Sequence, residues 1–141
     1  MKYKGIPLVE KPWYLDMLPT HKWISAQANY SKIWVKKDIL NNLISNNSSP
    51  FWISLMEHEV KHIERQHEIG KWKFWLYYKL FPKFRINEEL IADKARIEYV
   101  KKHNVPYIIE ERARMLSSWK YFWGISYENA KRKLEKIYNE A

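Results

Sequence analysis

The stretch Leu55–Gly70, LMEHEVKHIERQHEIG, decides how this chain is read. It places His58, His62 and His67 within ten residues, in a chain that has five histidines. His58-Glu59-Val60-Lys61-His62 matches the pattern H-E-x-x-H. On a helix, residues i and i+4 share a face, with Cβ atoms about 5–6 Å apart. Two imidazoles so placed can converge on one zinc ion, each at about 2.0–2.1 Å. Glu59 points about 100° around the same helix. There it reaches a metal-bound water without ligating the metal, as a general base requires. Gln66 follows His58 and His62 on one face. Met56, Val60, Ile63 and His67 fall on the other, so His67 reads as a core-edge residue or one that backs a ligand, and not as a ligand.

The flanks agree with a helix. Pro50 suits its first position with Ser49 as N-cap, and Gly70 suits its end. Upstream, Pro7, Pro12 and Pro19 predict an irregular or extended segment over residues 1–20. Trp23–Ala26 and Ile33–Val35 flank a turn at Ala28–Ser31 and suggest a hairpin. DILNNLIS suits a short helix capped by Asp38, and NNSSP a loop. Downstream, Asn87 reads as an N-cap opening a helix to about His103. Two more helical segments follow, from Tyr107 to about Phe122 and from Ser126 to about Asn139. Residues 71–86, basic and aromatic, give no clear pattern.

A catalytic zinc generally has three protein ligands. The chain has no cysteine, so the third must be His, Asp or Glu. The extended pattern H-E-x-x-H-x-x-G-x-x-H is absent, because Arg65 holds the glycine position and Glu68 the last one. The better source is Asn87–Tyr99, NEELIADKARIEY. Glu89 and Asp93 are i and i+4 and face the same way. Glu88 is the rival and points about 100° away. Acids also favour the first turn of any helix.

With these residues in hand, the chain resembles the gluzincins, the thermolysin-like clan that joins H-E-x-x-H to a glutamate on a later helix. The E-x-x-A-D run, Glu89 to Asp93, is similar to the second motif of the membrane-bound CAAX-processing and heat-shock metallopeptidases. The region also looks like small bacterial and phage forms. The likeness spans about residues 55–99. It implies a zincin-like fold and zinc-dependent hydrolysis of peptide or protein substrates. It makes His58, His62 and Glu89 the zinc ligands, Glu59 the catalytic base, and Asp93 the acid that orients a ligand histidine. Residues that would steady the oxyanion find no match; Arg96, Tyr99, Tyr107 and Arg112 are candidates, with packing roles open for each.

The rest of the composition bounds the answer. A chain of 141 residues with 46% apolar residues suits a single globular domain, residues 1–141. No apolar leader and no run of about 18 uncharged apolar residues is present, so a cytoplasmic protein without a membrane span is expected. A net charge of +9 attracts acidic partners without choosing among them. Nucleic acid is one such partner, though no motif supports it. The interleaved rings and lysines of Lys71–Arg85 could stack bases or meet a membrane interface; burial as core is the favoured reading. The fold class expected is α+β and mainly helical, with a small antiparallel sheet whose edge, at Ile33–Val35, could bind an extended peptide. A non-catalytic, metal-stabilised binding protein and a basic nucleic-acid-binding protein are the alternatives to a metallopeptidase.

Overall fold

A computed structural model describes residues 1–18 and 24–141. The chain opens with β1 (Lys2–Tyr3) and β2 (Ile6–Glu10), joined at Lys4 and Gly5. Both turn residues have positive φ, 48° and 81°, as a two-residue hairpin of the right twist requires. A short 3-10 helix follows at Trp13–Met17. The N-terminal segment is thus more regular than its prolines suggest. Pro7 is accommodated because its strand pairs with β1 over only two residues.

A second hairpin, β3 (Ala26–Asn29) and β4 (Lys32–Val35), turns at Tyr30-Ser31. Its expected start at Trp23 lies outside the described residues. The strand order is β1-β2-β4-β3, and β2 runs parallel to β4. The sheet is therefore mixed, not purely antiparallel. Ile33–Val35 lies inside it, and the edge strands are β1 and β3. Ile33 and Val35 share one face of β4 and are fully buried in the cluster with α1 and α2.

Helix α1 (Lys37–Ile44) comes next, with Lys36 rather than Asp38 at its N-cap. Helix α2 (Pro50–Ile69) carries the H-E-x-x-H residues and ends at Gly70, whose φ of 101° only glycine adopts freely. Helix α3 (Lys71–Leu80) follows at once. Pro82 forces Phe81 into an extended conformation, which separates α3 from α4 (Pro82–Lys102). The start at Pro82 corrects the expected start at Asn87, which sits inside the helix. Pro at the first position outweighs the weaker capping signal five residues later. Helix α5 (Ile109–Leu116) is shorter than the segment predicted, because the chain passes into a 3-10 turn at Trp119–Tyr121. Helix α6 (Tyr127–Glu140) is capped by Ser126, whose hydroxyl accepts from the Asn129 amide at 3.3 Å.

The structure is mostly helical with a small sheet, an α+β arrangement. It holds two apolar clusters. Leu8, Ile33 and Val35 of the sheet pack with Ile39 of α1 and with Met56, Val60 and Ile63 of α2. Ile86 and Ile97 of α4 pack with Ala113, Leu116, Ala130 and Leu134 of α5 and α6. Helices α2 and α4 meet between these clusters, and each turns its polar stripe to the other.

Candidate metal centre

The apolar stripe of α2 faces the sheet, so His58 and His62 face α4. On α4, Glu89 and Asp93 face back. All four are buried. The Nε2 atoms of His58 and His62 stand 3.1 Å apart. Glu89 Oε1 is 3.2 Å from His62 Nε2, and Oε2 is 3.4 Å from His58 Nε2. One atom from each of His58, His62 and Glu89 lies within 4.8 Å of the others, so the group could hold a metal ion. A tetrahedral zinc ion with bonds of about 2.0–2.1 Å would have its ligand atoms about 3.3–3.4 Å apart. The three separations here have the size of that tetrahedron's edges. Two neutral ring nitrogens and one carboxylate are also donors that zinc accepts.

The electrostatics favour positive charge at the cluster. Burial pulls the His58 pKa down, but Asp93 and Glu89 beside it outweigh burial and raise it to about 9. Burial pushes the Glu89 carboxyl up, and the two histidines overcome this and hold it well below its ordinary range. A metal ion binding there would compete with the His58 proton for the same field. His58 Nδ1 lies 3.1 Å from Asp93 Oδ1. That is hydrogen-bond distance, but the angle is poor, and neither atom has a well-aligned partner. Of the two histidines, it is His58 that Asp93 stands beside.

Glu88 and Glu89 separate cleanly. Glu88 accepts from Arg65 through both oxygens, at 2.8 and 2.9 Å. Glu89 turns to the cluster. His67 stays outside the cluster, but it is exposed and not at the core edge: it stacks on Tyr30 at 4.0 Å and is bonded to the Tyr30 carbonyl at 2.8 Å. Gln66 reaches the same turn, accepting from the Tyr30 amide at 2.6 Å. The end of α2 thereby pins the β3–β4 hairpin over the site.

Glu59 is buried and accepts from the Ala28 amide at 2.8 Å through Oε2. That bond fixes the carboxylate at the edge of β3. The two histidines, Glu59 and Glu89 line a cleft of about 540 Å³. Its walls include β3, Trp34, Trp72, Trp75 and Tyr78.

Three site residues come from elements that the motif spacing does not reach. Arg112, on α5, is buried and donates to Asp93 at 2.7 Å and to Glu89 at 2.8 Å. It holds both carboxylates and is a positioning residue, occupied away from the cleft. Tyr78 donates to Glu89 Oε1, and Tyr121 donates to Oε2 at 3.3 Å. Burial and Glu89 raise both phenols above their ordinary pKa, so they stay protonated. Of the other candidates, Arg96 bonds Ser54 at 3.2 Å and lies over Phe51 and Tyr107. Tyr99 stacks on His103. None of these three lines the cleft. Comparison of the chain with protein-family models, with curated proteins and with solved structures gives no match.

Proposed function

We propose that the chain is a zinc-dependent metallopeptidase of gluzincin type, with a zincin-like arrangement of α2, α4 and the mixed sheet. One observation carries the reading: three donor atoms at zinc-like separations share a cleft with an adjacent, fixed glutamate. His58, His62 and Glu89 would hold the ion. A zinc ion supplies Lewis acidity, lowering the pKa of water and polarising a carbonyl. Asp93 sets the tautomer of His58 so that Nε2 presents its lone pair to the site. Arg112 keeps Asp93 and Glu89 ionised. Glu59 Oε1 takes the proton from the attacking water and passes it to the leaving amine. Tyr78 and Tyr121 each give their one O–H proton to Glu89 and would hold that carboxylate in place for the ion.

The same geometry supports an extended substrate. The Ala28 N–H leaves the free edge of β3 toward Glu59. A peptide laid along that edge by strand addition runs past the carboxylate. The Trp-lined wall favours peptides with large apolar side chains. The test is a cleavage screen on unfolded protein substrates, with zinc, with a chelator, and with Glu59→Gln. Hydrolysis that needs both zinc and Glu59 supports the proposal. Cleavage that survives both losses, or none by a zinc-loaded protein across the screen, counts against it.

A further inference from the structure

Helix α3 inverts the usual division of inside and outside. Its sequence KWKFWLYYKL is rich in rings and leucines, yet only Phe74 is fully buried. Trp72, Leu76 and Leu80 are 76%, 46% and 61% exposed. Spaced i, i+4 and i+8, they form one continuous outward stripe. At about 100° per residue, Lys79 and Lys73 fall about 20° beyond its two margins. The burial expected for this segment is therefore not what the fold provides.

A second exposed aromatic group adjoins it. The Arg85 guanidinium lies between the rings of Tyr78 and Phe122, at 5.2 and 4.7 Å. Phe122 and Trp123 are 61% and 71% exposed, with φ of 54° and 49°. Two bulky residues in succession at positive φ are costly, and such strain persists where function retains it. Burial of the two rings does not compensate, because they face solvent. Gly124 seats this loop on α4: a Cβ there would meet Pro82 and Ile86 at 3.1 Å.

We infer that this face docks on a lipid bilayer surface that carries anionic headgroups, with α3 lying in the plane of the interface. Charge complementarity names the occupant. From Lys71 to Lys83 the chain has four lysines and no acid. Lysines at the margins of an apolar stripe extend to phosphates while their stems cover lipid. Tryptophan favours the headgroup level, and leucines enter the acyl boundary. Nucleic acid fits less well, because Leu76 and Leu80 are two of the stripe's three residues and cannot stack bases. No described helix is long and apolar enough to cross a membrane, so the helix lies on the surface. Trp72 and Trp75 also line the cleft. Docking therefore brings the mouth of the cleft to the lipid.

The test is co-sedimentation of the full chain with vesicles of phosphatidylcholine alone and mixed with phosphatidylglycerol. Binding to the mixed vesicles should be about tenfold tighter or more, and should weaken with salt. Leu76→Gln with Leu80→Gln should lose about tenfold or more in binding while keeping the far-ultraviolet dichroism of the parent. Phe122→Ser with Trp123→Ser is the independent second variant, in case the first does not fold. Absence of binding to the mixed vesicles overturns the inference, and so does undiminished binding by either folded variant. The same holds if the face instead binds a single-stranded oligonucleotide, or pairs two copies of the chain, and ignores vesicles.

Discussion

The seam between α2 and α4 and the outer face of α3 depart from the ordinary rule of burial in opposite directions. In the seam, His58, His62, Glu89, Asp93 and Arg112 are buried charges or potential charges. On α3, Trp72 and Leu80 are exposed apolar side chains. The informative residues in a fold are the buried polar ones and the exposed apolar ones. The seam tolerates its charges because each has an opposite partner at hydrogen-bond distance. Among the described residues, nothing covers the outer face of α3 in the same way. The contrast sets polar groups that are paired within the fold against apolar groups that the fold leaves open.

The largest break in the comparison should come from Glu59→Gln. The amide keeps the size of the side chain but cannot take a proton. It should retain metal and lower peptide hydrolysis by about 10²–10⁴-fold. Metal content and single-turnover cleavage on one preparation check both halves. Arg112→Met should come next. It leaves Asp93 and Glu89 buried without their cation, at about 3–5 kcal/mol of stability, read from urea unfolding.

Acid should attack the same seam. Burial raises the Asp93 carboxyl, but Arg112 and His58 outweigh burial and hold it below its ordinary 3.8. Glu89 is held well below 4.5. Depressed carboxyls contribute stability above their ordinary pKa and lose it as pH falls through the folded values. Unfolding midpoints should therefore fall below about pH 4.5, and less steeply in Arg112→Met. Asp93→Asn is milder. It should lower zinc affinity by about 10–100-fold, measured by competition with a chelating dye. The smallest effect belongs to the other region: Leu76→Gln should leave stability within about 0.5 kcal/mol. A larger loss would mean that the leucine packs within the chain, and would remove the contrast.

Much of the seam was legible because helical spacing fixes which side chains share a face. His58 with His62, and Glu89 with Asp93, are i,i+4 pairs, and the structure sets the two pairs against each other. Glu59 follows from its adjacency to His58. Arg112, Tyr78 and Tyr121 were not legible as a set, since each enters from a different element and no spacing links it to the motif. The start of α4 was misread at Asn87 because a capping residue signals locally, whereas Pro82 acts on the residue before it. The prolines of residues 1–20 masked β1 and β2. The glycine at position 5, a residue suited to a tight hairpin turn, was the available hint. The exposure of α3 was hidden because a helix with rings on every side shows no periodicity, and only tertiary packing decides which of them is covered.

The most direct test of the central claim is elemental mass spectrometry on untagged protein purified without added metal, beside His62→Ala. The account predicts about one zinc ion per chain in the parent and a near-complete loss in the variant. A parent chain that carries no metal, even after incubation with zinc, would contradict the account.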